Sequence, residues 1–314
     1  MVFAPAVGAT MKLLSAFVMY ASVLTGVLAS AQLHAANVTV VISGLGGSEE
    51  FTEKFNEYAN VIADESRRIA ITPTDVMLLR GNAAKKEILT ALFDAISTRE
   101  DIDHFTAFFI GHGSFDGSTY KFNIPGPDIT GEELATALNS IRSRQQLVVA
   151  STSASGALLD VIDSGNSSTG NRILITATKN GREKTAVLFP EYVVEALTEP
   201  AADTNKNEII SAAEVFEYAN RSVETFYETE KQLAPEHARL RGESADTYEL
   251  ARYGNLLAKQ DEIPQDLINK RETLANQVNI LRSRKDDIDE DEYFDTLQNL
   301  MLELADVQRQ IDDK

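Results

Sequence analysis

Phe105-Thr106-Ala107-Phe108-Phe109-Ile110-Gly111-His112-Gly113-Ser114 is the stretch that decides the fold. Residues 105–110 hold no charge and are almost wholly apolar, the mark of a strand covered on both faces. The run then stops on a histidine between two glycines, where backbone can approach a ligand closely. Buried strands of this kind belong to sheets built from βα units. Partner strands are expected over 38–43, 76–79, 147–151 and 173–178, with helical periodicity between them over 49–67 and 83–97. Thr130-Gly131-Glu132-Glu133 reads as a capping box opening a helix that ends near Ile141. Residues 114–127, rich in Gly and Pro around Tyr120-Lys121-Phe122, read as a small hairpin inserted after the third strand. The fold class is therefore α/β with a mostly parallel sheet.

Ligands in open α/β sheets bind outside the carboxyl ends of the strands. Two such ends are chemically distinctive: His112 between its glycines, and Ser151-Thr152-Ser153-Ala154-Ser155-Gly156 after the 147–151 strand. The Gly113 N–H is a candidate donor to an oxyanion. A plainer reading stays open, in which His112 is a surface loop residue and the small-residue run a tight strand-to-helix turn. His104 and His237 lack metal-ligand spacing and read as structural or solvated.

These strand ends, taken in order with Ile173-Leu174-Ile175-Thr176-Ala177-Thr178 and the following Asn180-Gly181-Arg182-Glu183, resemble legumain-type (C13-like) peptidases of the caspase fold. The resemblance covers residues 38–197. It implies a caspase-hemoglobinase architecture, a mostly parallel sheet with flanking helices, and endopeptidase activity. In that family the second strand ends Cys-x-Ser-Gly, with the Cys as nucleophile and a His as its acid/base partner. Residue by residue, His112 falls on that His, Ser155-Gly156 on the Ser-Gly, and Ser153 on the nucleophile. The departure is chemical, because this chain contains no cysteine. A thiol beside a histidine ionises readily, whereas a hydroxyl must lose its proton during attack and needs a tightly oriented base. The expectation is a catalytically impaired homologue, a pseudoenzyme whose cleft binds a protein or peptide. The alternative is an active serine-type hydrolase using Ser153 and His112.

A second constellation lies downstream. Asp203-Thr204-Asn205-Lys206-Asn207-Glu208-Ile209-Ile210-Ser211-Ala212-Ala213-Glu214 spaces oxygen donors as an EF-hand-like loop does. Asp203, Asn205, Asn207, the Ile209 carbonyl, Ser211 and Glu214 would be the ligands of a single Ca2+. Glu208 stands where the sharp turn wants glycine, and a left-handed conformation there costs roughly 1–2 kcal/mol. The competing reading makes Ser211-Ala212-Ala213-Glu214 a capping box for a helix to about Tyr227 and 203–207 a polar turn.

The chain has 314 residues, enough for one large or two ordinary domains. Its formal net charge is −19, a field that repels nucleic-acid phosphates, so no nucleic-acid partner is expected. Residues 1–36 read as a signal peptide: Met11-Lys12, an apolar 13–28 stretch, and cleavage after Ala31 or Ala36. That points to an exported protein, periplasmic or secreted, without a membrane anchor once the signal is removed. An uncleaved anchor helix is the competing reading. The α/β domain is expected over 37–232, loop 203–214 included. Heptad spacing then runs through Leu267, Leu274, Val278, Leu281 and Ile288, and again through Tyr293, Leu297, Leu300, Leu304, Val307 and Ile311. Region 233–314 is thus expected to form a C-terminal helical hairpin or coiled coil, either an arm for homo-oligomers or a cap on its own domain. Arg271 and Lys285 at seam positions are expected to loosen its first helix. Asn37, Asn166 and Asn220 head glycosylation-type triplets, which matter in a eukaryotic source.

Overall fold

A computed structural model describes residues 36–70, 72, 75–162, 171–253, 263–283, 285 and 288–312. The expected signal segment, apart from its last residue Ala36, and Asn166 lie outside the described residues. Among the described residues no helix is long and apolar enough to cross a membrane.

The architecture is α/β. Strands β1 (Ala36–Ser43), β2 (Val76–Leu79), β3 (Ile102–Gly111), β7 (Gln145–Thr152) and β8 (Asn171–Thr176) are parallel, and β10 (Arg239–Arg241) closes one edge antiparallel to β8. The sheet order is β10-β8-β7-β3-β1-β2. Strand alternation sorts side chains to two faces. Along β3, Phe105, Ala107 and Phe109 enter one core with Leu89 and Phe93 of α2 (Lys86–Ser97), Leu134 and Leu138 of α3 (Gly131–Ser140) and Leu158 of α4 (Leu158–Ile162). Phe108 and Ile110 enter the other, against Phe55, Ala59 and Ile62 of α1 (Glu49–Ile69), Val193 of α5 (Phe189–Thr198) and Val215 of α6 (Ala212–Thr229). Each fully buried aliphatic or aromatic side chain contributes about 1.5–3 kcal/mol, so this double-sided packing is what holds β3 and β7 in place.

The predicted capping box at Thr130–Glu133 forms, and so does the one at Ser211–Glu214 that stood as the competing reading of the calcium-type loop. The 83–97 helix is shorter than its periodicity indicates: a 3-10 turn, Gly81–Ala84, precedes α2, and Lys85 takes an extended conformation between them. The inserted hairpin is a three-stranded antiparallel sheet, β4 (Gly113–Phe115), β5 (Tyr120–Phe122) and β6 (Ile129–Thr130). The fifth parallel strand ends at Thr176 rather than Thr178, because residues 177–180 bend across the end of β7.

Residues beyond the expected boundary at 232/233 contribute strands to the sheets of the α/β part. Residues 239–241 supply β10, and β11 (Glu249–Arg252) pairs antiparallel with β9 (Ile209–Ser211). Tyr248, 1% exposed, bonds through its hydroxyl to Thr106 and the Phe105 carbonyl of β3. Strands of three or four residues have too little alternation to be read from sequence. The C-terminal helical hairpin itself is α7 (Gln265–Ser283) packed on α8 (Glu290–Asp312), with Ile268, Leu274, Val307 and Ile311 in a seam that also takes in Ile209 of β9. Helix α7 ends before Ile288. Arg271 is 2% exposed, whereas Lys285 is exposed over the Tyr293 ring.

Candidate active site

Strands β3 and β7 run in register to Gly111 opposite Thr152, so His112 and Ser153 leave the sheet side by side at its carboxyl edge. His112 turns to the α1 face. Its ring meets those of Phe51 and Phe55 edge-on, each with centroids 5.1 Å apart, and its Nε2 lies 3.0 Å from the Gly46 carbonyl. A carbonyl only accepts, so Nε2 carries a proton, and the tautomer this contact selects is the one with its lone pair on Nδ1.

Ser153 is 2% exposed, with Ser151, Thr152 and Ser155 buried around it. No hydrogen bond joins it to His112. Next comes Ala154, a non-glycine residue at φ 56°, a left-handed conformation that persists only where neighbours hold it. Here the holder is its own N–H, which donates to the Glu183 carbonyl at 2.7 Å. Gly156 is pressed against the loop after β8, and a Cβ there would lie 2.1 Å from Asn180 N. Its N–H donates to Thr178 Oγ1 at 2.8 Å, and Thr178 N–H in turn donates to Ser155 Oγ. Ser153 therefore opens a strand-to-helix turn held by the bonds of Ala154, Gly156 and Thr178.

Gly113 needs its missing side chain for a different reason, since a Cβ would lie 2.3 Å from the Ser153 carbonyl. Asn123 N–H donates to the His112 carbonyl, so by ladder alternation Gly113 and Phe122 form a pair of the non-hydrogen-bonded kind. The Gly113 N–H thus points away from β5.

Sequence reading missed the residues behind this turn. Glu183 accepts from Lys179 N–H at 2.9 Å and from His237 N–H at 3.1 Å, and pairs with His237 Nδ1 at 2.6 Å and Lys179 Nζ at 3.2 Å. Burial pushes its carboxyl up, but these donors outweigh burial and hold it below the usual carboxylate range. His237 lies 54 positions from Glu183, a pairing that no local motif signals. The adjacent Glu236 is buried and accepts from the Leu188 and Phe189 N–H groups at the start of α5 and from the Tyr227 hydroxyl. His104 lies at the opposite, amino edge of the sheet between Asn37 and Gln145, remote from the site, and burial pushes its pKa down. Asn37 is thus held within β1 by His104, and Asn220 within α6 by a bond to Glu224.

In the 203–214 loop, Asp203 accepts from the Asn207 and Glu208 N–H groups, and Asn207 Oδ1 from Ile209 N–H. Glu208 lies at φ 62°, the left-handed conformation the loop position demands. Glu214 folds back over the loop. Its Oε1 accepts from Thr204 N–H and Oγ1 and from Asn205 N–H, while its Oε2 completes the capping box with Ser211. Burial pushes the Asp203 carboxyl up, and the charge of Glu214 adds to that. Among the described residues no three His, Cys, Asp or Glu side chains cluster as metal ligands.

Fold and site together define an α/β protein with a histidine and a serine on adjacent strand ends of a mostly parallel sheet. No family model matches the chain, and no curated protein matches it. A solved structure, caspase-1 from Spodoptera frugiperda, is similar to it at 10% identity and a TM-score of 0.38, covering 66% of this chain and 86% of that one. A likeness of that size assigns no residue its role.

Proposed function

We propose that this chain is an exported, caspase-fold peptidase homologue that binds a peptide or protein segment at the carboxyl edge of its sheet rather than cleaving it. One observation carries the reading: the hydroxyl in the nucleophile position belongs to a residue 2% exposed and unbonded to the histidine beside it. An unactivated serine is a poor nucleophile, and a buried one meets no carbonyl. What remains usable is the rim of the strand ends, where the exposed Leu45, the half-buried His112 ring and the Gly113 N–H directed away from β5 would offer apolar contact and hydrogen bonding to an extended backbone. A mixed peptide library incubated with the protein tests this. Retention of a peptide subset with no new termini by mass spectrometry supports the reading, and cleavage lost in Ser153→Ala overturns it.

A serine-type hydrolase is the second reading, favoured by the His112 tautomer, whose Nδ1 lone pair is free to act as base. Substrate-driven movement of Ser153 toward Nδ1 is what it requires.

Export is part of the proposal. Cleavage after Ala31 is the favoured cut, since Ala36 belongs to β1 and its N–H donates to the Asp101 carbonyl. So is a weak calcium site at 203–214. The donor types and spacing fit the ion, but Glu214 already accepts hydrogen bonds on both oxygens and must exchange some of them to bind it. The ion would tune stability and has no part in chemistry at His112.

A further inference from the structure

At the amino edge of the sheet one row of side chains is polar. His104 of β3 lies level with Asn37 of β1 and Gln145 of β7, its cross-strand neighbours on either side. Its Nδ1 is 3.1 Å from Asn37 Oδ1 and its Nε2 2.8 Å from Gln145 Oε1. Two carbonyl oxygens suit a ring with a proton on each nitrogen, and the Asp103 carboxylate, 3.5 Å from Nδ1, favours the same charged form. Glu249 of β11 adds to that from farther off. Two features oppose it. Arg144, just before β7, holds Asp103 at 2.6 and 2.9 Å and brings one guanidinium nitrogen to 3.0 Å from His104 Nε2. Tyr248 lays its own buried ring against the imidazole, edge to face with centroids 5.1 Å apart. Burial is the largest of these effects, and it pushes the ring below the ordinary histidine range.

The ring that covers His104 belongs to a strap from far along the chain. His104 and Thr106 share one face of β3, and the Tyr248 hydroxyl is bonded to Thr106 Oγ1 and the Phe105 carbonyl, which lays the tyrosine along that face. The 3-10 turn Ala245–Thr247, immediately before Tyr248, packs on α7. Immediately after it, β11 pairs with β9, whose Ile209 enters the hairpin seam. Whatever lifts Tyr248 therefore acts on the seat of the C-terminal hairpin.

We infer that His104 is a proton-operated latch: neutral, it keeps Tyr248, the 245–252 segment and the hairpin behind them seated on the sheet, and protonated, it loosens them. The reason is reciprocity. A cover that disfavours the charged ring is disfavoured by that ring to the same degree. A charged His104 also repels Arg144, whose side chain, 62% exposed, turns away into water and gives up its paired bonds to Asp103. Seating is thus in full force above about pH 6.5 and weakens as pH falls below it toward the lowered folded-state value. The latch lies at the edge opposite His112 and Ser153 and stands whether or not the cleft binds a peptide.

Hydrogen exchange of the full chain, read by mass spectrometry at about pH 7.5 and 5.5 and corrected for intrinsic rates, tests the latch. Amides of 245–252 and 265–283 are expected to exchange up to about tenfold faster at the lower pH, the factor by which a free histidine is charged one unit below its ordinary value. Amides of α2 and α3, on the other face of the sheet, keep their rates. His104→Gln takes no proton and abolishes the difference. Its missing imidazole signal also identifies His104 among the four histidines by NMR. Arg144→Gln removes the competing cation and moves the His104 titration midpoint up, and this exposed position keeps the test open if His104→Gln does not fold. Acceleration that is absent, that survives in His104→Gln, or that spreads evenly over the chain overturns the latch. So does a His104 midpoint that Arg144→Gln leaves unchanged or lowers.

Discussion

Gly113 lies against the carbonyl of Ser153, so close that a Cβ on the glycine would come within 2.3 Å of that oxygen. The contact ties the outgoing β4 to the turn after β7 and fixes the spacing between His112 and the small-residue run. Gly113→Ala must push the two loops apart, with the Tyr120 ring and hydroxyl blocking the other direction at 2.7 and 2.9 Å. A loss of about 2–3 kcal/mol in urea unfolding is expected. A loss below about 0.5 kcal/mol would mean that the two loops are not held in contact.

Glu183 is the anchor behind the same turn. Its folded-state pKa is lowered, so its contribution to stability is present above the unfolded value of about 4.3 and is lost as pH falls through the folded one. Glu183→Gln should therefore cost about 1–2 kcal/mol at pH 7, and wild type and variant should converge as pH falls through the lowered folded-state value. A gap in urea midpoint that persists at low pH would contradict this.

Much of this architecture was legible in the chain. The charge-free 105–110 run announced a buried strand and Thr130/Glu133 a helix start, because each signal is local and has one structural outlet, whereas Ser211/Glu214 read both as calcium ligands and as a capping box. The backing of the site was not legible. Glu183 meets His237 only because β10 returns antiparallel along β8, and a three-residue edge strand such as Arg239-Leu240-Arg241 has no periodicity to read. The same holds for Tyr248, whose hydroxyl reaches Thr106 across 142 positions. His112 and Ser153 were found as strand ends, but whether their side chains touch depends on the Gly46 carbonyl and on the left-handed Ala154, which no spacing reveals.

Glu208 holds a conformation that glycine adopts without strain. Glu208→Gly should raise stability by about 1 kcal/mol and tighten calcium binding, since the loop no longer stores that cost. For a dissociation constant near 10⁻⁴ M, about 1 mM calcium adds roughly 1.4 kcal/mol, a rise of about 3 °C in Tm. Differential scanning fluorimetry with and without chelator reads the shift, and Glu214→Gln should abolish it. No shift in wild type or in Glu208→Gly would leave the loop as a capping box and polar turn.

Truncating the cap separates the two roles of Glu214. Ser211→Ala removes the hydroxyl that accepts Glu214 N–H and should cost about 1 kcal/mol, with or without calcium. A cost that appears only with calcium present would assign Ser211 to the ion instead.

The central claim is that Ser153 is not an activated nucleophile. Its most direct test is labelling of the folded protein with a fluorophosphonate serine probe, beside His112→Ala and Ser153→Ala. The account predicts no labelling of any of the three in samples whose unfolding transitions are intact. Labelling of wild type that disappears in both variants would contradict it and make this a working serine hydrolase.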